Sequence, residues 1–250
     1  MIYGYFDDSG THDASLVATM AGYVAHVGRW KKFERAAKKL FKSEGMNVFH
    51  ATAFESSKGE FDGWEAAKQI RFACDWYEIA KRESILRGTT ISIDKASFKQ
   101  AKAGGKILPN TSAYGYCLNI VLQKRCKDGE VWAEMEKHGL SLVLEAGTPK
   151  RDEGLKMEFR AVARENNLGH VLKSLTTAPK QSSRSLQLGD YLAPFSWQQA
   201  EKAAKGTLNS RSEFHDIAMR AVTTHLALAE GLTPNPAYRR GRRAPSRGQT

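Results

Sequence analysis

The chain has 250 residues, 41% of them hydrophobic, so it is long enough to bury the core of one large domain or two small ones. Its formal net charge is +11, and this basic excess favours an anionic partner, with nucleic acid preferred to an acidic membrane surface. The three cysteines lack a C-x-x-C spacing, which argues against a disulfide framework and a cysteine zinc site. Without a basic leader or an apolar run of signal or membrane-span length, the chain is expected to be cytoplasmic, with no membrane partner.

The first part of the chain predicts a hairpin and then helices. The predicted elements, in order, are strands at 1–10 and 15–27, a helix at 28–45, an extended segment at 47–54, a helix at 62–82 and a strand at 84–94. The hairpin follows from the turn-forming Asp-Ser-Gly after the first strand. A capping-box-like pair, Asp62 and Glu65, opens the second helix. The segment 28–83 is therefore predicted to be a helical insertion.

The second part alternates strand and helix. After a loop at 102–110, the predicted elements are a helix at 112–138, a strand at 140–147, a helix at 152–166, a strand at 169–176, and helices at 184–203 and 212–231. Residues 140–147 are nearly continuously apolar, as in a strand covered on both faces. Pro194 is expected to bend its helix.

Together these elements predict an α/β fold. Its mixed sheet has antiparallel first strands and then parallel strands, and it is flanked by helices on both faces. Residues 1–230 are predicted to form a single domain, and the arginine-rich residues 231–250 a disordered basic tail. The tryptophans fall at apolar helical positions and are expected in the core.

Several acidic residues occupy positions where an apolar residue would be expected. Asp7 and Asp8 end the first strand, and the two-residue period of a strand puts Asp7 on one face and Asp8 on the other. Glu145 closes an apolar strand, and Asp190 interrupts an apolar helix. Each has an ordinary alternative: a turn for either aspartate, an ion pair with a neighbouring base for Glu145, and a buried salt bridge for Asp190.

If these acids meet, they require a positive partner, because carboxylates cannot lie close together unneutralised. One or two Mg²⁺ or Mn²⁺ ions would supply it, since these hard cations prefer oxygen ligands. Such ions promote phosphodiester hydrolysis, and a basic chain around them would attract nucleic acid.

The stretches "YFDDSGT", "VFHATAF", "LVLEAG" and "SLQLGDYLA" resemble the four landmarks of the prokaryotic domain-of-unknown-function family 3800, in the same order. That family is placed in the ribonuclease-H-like superfamily. The resemblance spans about residues 1–200 and implies a ribonuclease-H-like fold and a metal-dependent nuclease or related phosphoryl-transfer activity. The chain departs from the family at Asp8, where glutamate is frequent, at Glu145, where aspartate is more usual, and at "LGD", where "LAD" is more frequent.

The resemblance also implies site residues. Asp7, Glu145 and Asp190 would be metal ligands, and His50 and Gln187 match the family's histidine and helical glutamine. For His50 the alternatives are a ligand or proton donor near the metals and a neutral histidine hydrogen-bonded at a strand end.

Further candidates are supporting or nucleic-acid-binding residues. Asp8 and Ser9 would support the site, Lys173 could reach a scissile phosphate, and Asp94 is a reserve acid. The expected contacts to nucleic acid come from a loop lysine and the tail arginines, namely Lys106, Arg239, Arg240, Arg242 and Arg243.

Two functional hypotheses follow. The first is a Mg²⁺- or Mn²⁺-dependent nuclease whose ligands are Asp7, Glu145 and Asp190. The second is a non-catalytic nucleic-acid-binding or effector module that keeps the fold and the charge. Strand transfer or junction resolution would use the same acids as hydrolysis.

Overall fold

A computed structural model of the chain describes residues 1–83, 85–125, 129–207 and 222–227. Its centre is one mixed sheet in the strand order β5-β4-β1-β2-β3-β6. The strands are β1 Ile2–Ser9, β2 Val17–His26, β3 Leu86–Asp94, β4 Leu140–Glu145, β5 Leu172–Ala178 and β6 Val222–Ala227. β2 is antiparallel to both β1 and β3, whereas the other neighbouring pairs are parallel. The predicted hairpin and the change from antiparallel to parallel pairing are confirmed.

Helices cover both faces of the sheet, as predicted. They are α1 Val27–Ser43, α2 Ala51–Glu55, α3 Ala66–Arg82, α4 Lys95–Ala103, α5 Ala113–Arg125, α6 Gly129–His138, α7 Pro149–Glu165 and α8 Arg184–Ala204. Two short 3-10 turns lie at Gly59–Phe61 and Lys180–Ser182. Among the helices of the described ranges, none is both long and apolar enough to cross a membrane.

Side-chain alternation along β1 divides the core into two layers. Ile2 and Phe6 belong to the apolar cluster that includes residues of α5 and α7. Tyr3 and Tyr5 pack against the second cluster, to which α1, α3 and α8 contribute. The two clusters therefore lie on opposite faces of one sheet, which is the period-two pattern of a strand buried on both sides.

Four of the five tryptophans lie in or against these layers, which confirms their prediction as core residues, whereas Trp197 belongs to neither cluster. Trp30 and Trp76 are buried, and Trp64 and Trp132 pack against the two clusters. Trp197 is half-buried, and its indole N–H donates to Ser15 Oγ over 2.8 Å.

Two local predictions in the helical part require correction. Residues 47–54 are extended only to His50, because Ala51 begins α2 with its backbone N–H bonded to the Asp190 carboxylate. Asp62 and Glu65 do not form a capping box: Glu65 is itself the N-cap of α3 and makes no side-chain cap bond. The predicted helix over 112–138 is described as α5 up to Arg125 and as α6 from Gly129, and residues 126–128 between them lie outside the described residues.

The predicted helix at 212–231 is wrong where the structure describes it. Residues Val222–Ala227 form β6, which pairs parallel with β3. Three β-branched residues begin this strand, and such residues favour strands over helices. The rest of that predicted helix and the tail at 231–250 lie outside the described residues.

Candidate metal centre

Three acidic side chains from distant parts of the chain meet at one edge of the sheet. Asp7 lies near the carboxyl end of β1 and Glu145 ends the neighbouring strand β4, while Asp190 lies on α8. One carboxylate oxygen from each lies within 4.8 Å of those of the other two. The carboxyl ends of parallel strands are where open α/β sheets place their ligands.

The pairing register explains why Asp7 and Glu145 are neighbours. Phe6 pairs with Leu144 across the parallel β1 and β4 strands, so the next residues, Asp7 and Glu145, emerge together on the opposite face. That face is the one covered by α8. The predicted separation of Asp7 from Asp8 by strand alternation is confirmed, because Asp7 points to the α8 side and Asp8 to the α7 side.

Helix α8 places the third acid and also holds the segment that precedes α2. The Asp190 Oδ2 atom accepts a hydrogen bond from the Ala51 backbone N–H over 2.9 Å. One turn earlier, Gln187 Oε1 accepts from the Phe49 N–H over 2.8 Å, and its amide donates to the Lys180 carbonyl over 3.0 Å. Gln187 therefore fixes the backbone on two sides of the site.

A buried lysine occupies the centre of the three acids. Lys180 follows β5 and is only 6% exposed. Its Nζ atom lies 2.8 Å from Asp190 Oδ1, 3.0 Å from Glu145 Oε2 and 3.9 Å from Asp7 Oδ2. This residue was not predicted from the sequence, and its one local signal is a lysine four residues after the predicted strand at 169–176.

The three acids and Lys180 strongly affect one another's pKa values. Burial, together with the charges of Asp190 and Glu145, raises the pKa of Asp7 well above its ordinary value, although Lys180 acts in the other direction. Burial lowers the pKa of the Lys180 ammonium, but Asp190 and Asp7 outweigh that effect and raise it overall. The ammonium is therefore the internal cation of an acidic cluster.

The donor set fits a hard divalent cation. Oxygen ligands of one Mg²⁺ ion lie about 2.8–4.2 Å apart, so carboxylate oxygens within 4.8 Å of one another need only small movements of the acids. The Lys180 ammonium would have to withdraw from their centre for the ion to enter. The side chain of Glu145 is 27% exposed, whereas those of Asp7 and Asp190 are 6% exposed. The cluster thus opens to solvent on the Glu145 side.

Asp8 takes part in a separate ion pair on the other face of β1. Its Oδ1 atom accepts a hydrogen bond from Arg151 Nη2, near the start of α7. Burial raises the pKa of Asp8, and Arg151 partly offsets this effect. Next to it, the Ser9 carbonyl accepts a 3.4 Å bond from the Tyr114 hydroxyl. Both residues therefore tie the end of β1 to the α5–α7 layer.

His50 lies beside the cluster along the chain but is not among the converging ligands. It is exposed, between two residues whose backbones α8 holds, and its Nδ1 atom is 3.0 Å from Thr52 Oγ1. The structure describes this hydrogen bond, and the role of His50 as ligand, proton donor or hydrogen-bonded neutral residue stays a prediction.

Two candidates are placed away from the site. Lys173 is the second residue of β5, about 17 Å along the strand from Ala178 at the acidic edge, and its side chain lies against Gly139. The expectation that it reaches a phosphate at the cluster is therefore corrected, because it lies at the opposite edge of the sheet. Asp94 ends β3, two strands away from β1, and its carboxylate caps α4 by accepting from the Ser97 N–H over 2.6 Å.

One of the predicted nucleic-acid contacts lies among the described residues. Lys106 is exposed in the loop after α4. The tail arginines lie outside the described residues.

The chain was compared with models of known protein families, with curated proteins and with solved structures, and none of the three comparisons found a match.

Proposed function

We propose that the protein is a divalent-metal-dependent nuclease on a ribonuclease-H-like fold, with Asp7, Glu145 and Asp190 as the ligands of one or two Mg²⁺ or Mn²⁺ ions. The observation that carries the proposal is the convergence of these acids from two strands and a helix at the carboxyl edge of the sheet. The fold proposal is supported by the antiparallel first strands, the parallel strands that follow and the helical segment between β2 and β3.

The residues of the cluster have separate roles in this proposal. Asp7 and Asp190 are held rigidly, because each accepts a backbone N–H bond at one oxygen and leaves the other oxygen toward the shared centre. Glu145, the more exposed acid, marks the side from which a phosphodiester would enter. Lys180 compensates the acids before metal binding and supplies positive charge toward a phosphate. When bound, the divalent cation supplies Lewis-acid chemistry that activates water and neutralises the leaving oxygen.

A buried ion-pair network is the competing explanation of the same geometry. Lys180 already contacts all three acids, as a structural salt bridge would. This contact favours the second candidate function, a nucleic-acid-binding module that has no metal chemistry. Its expected behaviour is salt-sensitive binding of nucleic acid with no cleavage in any divalent metal.

Cleavage assays with ligand variants test the proposal. Asp7→Asn and Asp190→Asn should each lower Mn²⁺-dependent cleavage of RNA or DNA by at least roughly 100-fold, because even outer-shell partners of metal ligands cost 10–100-fold. The matched control is Asp62→Asn, which neutralises an exposed aspartate on the helical segment and should cleave as the parent does.

Calorimetry separates the two candidate functions. The nuclease predicts Mn²⁺ binding to the parent that is lost in Asp7→Asn and Asp190→Asn. If the parent binds neither Mn²⁺ nor Mg²⁺ and cleaves none of single-stranded RNA, duplex RNA, DNA or hybrid, the nuclease proposal is wrong and the binding module remains.

A further inference from the structure

A second cluster of potential metal ligands lies at the other end of the same strands. His26 ends β2 opposite Ile2 at the start of β1, whereas Asp7 is five residues, about 17 Å, further along β1. Glu134 and His138 approach His26 from α6. The three side chains each offer one ligand atom, and these atoms all lie within 4.8 Å of one another.

The distances within the cluster are close to those that a metal ion requires. His26 Nε2 is 2.7 Å and His138 Nε2 is 3.6 Å from the same oxygen, Glu134 Oε2, and the two imidazole rings have their centroids 5.0 Å apart. Ligands about 2.0–2.1 Å from a tetrahedral Zn²⁺ ion lie roughly 3.3 Å from each other. The three atoms therefore surround a position that a cation can enter after small rotations of the side chains.

The backbone holds these residues in place before any ligand binds. Glu134 and His138 are four residues apart on α6 and so share one face of the helix. Gly139 directly follows His138, and its carbonyl oxygen accepts a 3.0 Å hydrogen bond from the backbone N–H of Ile2. Ile2 also pairs with His26 across β1 and β2. On the other side, the Val27 N–H donates to the Met1 carbonyl over 3.1 Å. The start of β1 thus fixes both ligand-bearing segments, as a preorganised site requires.

The ligand types distinguish this cluster from the carboxylate centre. Two imidazoles and one carboxylate suit Zn²⁺ and similar transition-metal ions, whereas a set of oxygens alone suits Mg²⁺ or Mn²⁺. The side chains of His26, Glu134 and His138 are 36%, 44% and 33% exposed, so a fourth coordination position faces solvent. His138 also lies in the last turn of α6, where the helix dipole favours a cation.

We propose that His26, Glu134 and His138 form a Zn²⁺-type transition-metal site, separate from the carboxylate cluster and independent of the proposed nuclease activity. The bound ion would join the end of β2 to α6 and keep one open position for water or a small anion.

Zinc titration of the full-length chain, prepared without a histidine tag, tests this site. The calorimetry is done in excess Mg²⁺, which occupies the carboxylate cluster. It should still show Zn²⁺ binding to the parent. His26→Gln and His138→Gln should weaken that binding by at least about 100-fold, because each removes a direct ligand. X-ray absorption at the zinc edge should report imidazole nitrogens in the parent.

Two control variants make the result specific. His12→Gln removes an exposed histidine near the other sheet edge and should leave Zn²⁺ affinity unchanged. Asp7→Asn, which is expected to disable the nuclease, should also keep the Zn²⁺ affinity, so failure of either proposal leaves the other standing.

Glu134→Gln, on the exposed face of α6, tests the carboxylate without removing an imidazole. Circular dichroism checks that each variant is folded.

The proposal is overturned if the parent binds no Zn²⁺ in excess Mg²⁺, or if His26→Gln and His138→Gln bind it as tightly as the parent. Either result would show that the three residues are only a hydrogen-bonded His–Glu–His cluster.

Discussion

Asp7 and Asp8 are consecutive residues with the same side chain, yet they belong to different faces of the sheet. Asp7 faces α8 and the acidic cluster, whereas Asp8 pairs with Arg151 of α7. One step along a strand reverses the direction of the side chain, so two adjacent carboxylates can be buried without repelling each other at contact distance.

Lys180 is the residue on which the electrostatics of the cluster depend. Lys180→Met should destabilise the protein by about 3–5 kcal/mol at pH 8 without divalent cations, because it leaves buried carboxylates uncompensated. Excess Mn²⁺ should recover more of the free energy of unfolding in this variant than it adds to the parent, since the ion replaces the lost ammonium. Urea unfolding with and without Mn²⁺ measures both effects.

Lys173→Met is the matched control for this experiment, because Lys173 is an exposed lysine on the adjoining strand β5. It should change the free energy of unfolding little and should not alter the response to Mn²⁺. Equal unfolding midpoints for Lys180→Met and the parent would contradict the role given to the ammonium.

Glu158 lies away from both clusters, and its titration should make the stability of the protein depend on pH. Burial raises its pKa to about 7, although hydrogen bonds from Ser112 act in the opposite direction. Its Oε1 atom accepts the Ser112 N–H over 2.7 Å, and its buried Oε2 atom has no hydrogen-bond partner in the described part of the chain. Because the pKa of Glu158 in the folded state exceeds the ordinary glutamate value of 4.5, the folded state retains the proton to higher pH, and stability falls as pH rises from about 4.5 to 7.

Glu158→Gln should therefore be more stable than the parent at pH 8, by on the order of 2 kcal/mol, and the difference should vanish near pH 4. Chemical denaturation across this pH range measures it. The control is Glu165→Gln, an exposed acid on the same helix, which should follow the parent. Parallel pH profiles for Glu158→Gln and the parent would show that Glu158 is not perturbed.

At the scale of elements, α8 connects the acidic cluster to the core. Its residues from Ser185 to Ser196 are buried, and the helix packs on β1 and β2. Ser183 caps its start, and Pro194 lies inside it. Asp190 and Gln187 are therefore held by a helix that is itself fixed on the sheet, so a change in the distance between α8 and β1 would separate Asp190 from Asp7.

Gly189 sets that distance and can be tested directly. A Cβ atom at this position would lie 3.4 Å from the Asp7 backbone nitrogen and 3.5 Å from the Phe6 carbonyl carbon, which is ordinary van der Waals contact. Gly189→Ala should therefore stabilise the protein by about 1 kcal/mol through helix propensity, measured as a rise in the free energy of unfolding. Gly189→Leu should destabilise it and weaken Mn²⁺ binding, because the larger side chain would push α8 from β1.

Gly154→Ala provides the comparison, because a Cβ there meets no atom within 4 Å and reports helix propensity alone. If Gly154→Ala raises the free energy of unfolding and Gly189→Ala lowers it, the prediction is contradicted. That result would mean that α8 and β1 are too close to accommodate a Cβ atom at position 189.

At the scale of the whole molecule, one sheet positions two chemically different clusters. The carboxylates lie at one end of β1, and the His–Glu–His cluster lies at the other. Apolar layers on both faces keep β1 and its neighbours rigid between them. The chain carries a formal net charge of +11, and the proposed binding of nucleic acid relies on this excess.

Much of the architecture could be predicted from the chain alone, because it rests on local patterns. The period of two in β1, the turn after it and the continuous apolar run of β4 are each readable over a few residues. The same logic failed for residues 222–227, whose strand depends on pairing with β3, more than a hundred residues earlier. It failed also at Ala51, where a carboxylate from α8 begins the helix.

By itself the sequence determined which acids stand where an apolar residue would be expected. It also determined which face of β1 each aspartate takes, because the alternation of side chains along a strand does not depend on a pairing partner. Only the tertiary structure decided that Asp7, Glu145 and Asp190 share one centre and that Lys180 lies between them. It alone also brought His26 to α6. Asp7 is more than a hundred positions from Glu145 and Asp190, as His26 is from Glu134 and His138. No local pattern in a chain encodes such contacts, and packing of α8 and α6 against the sheet sets them.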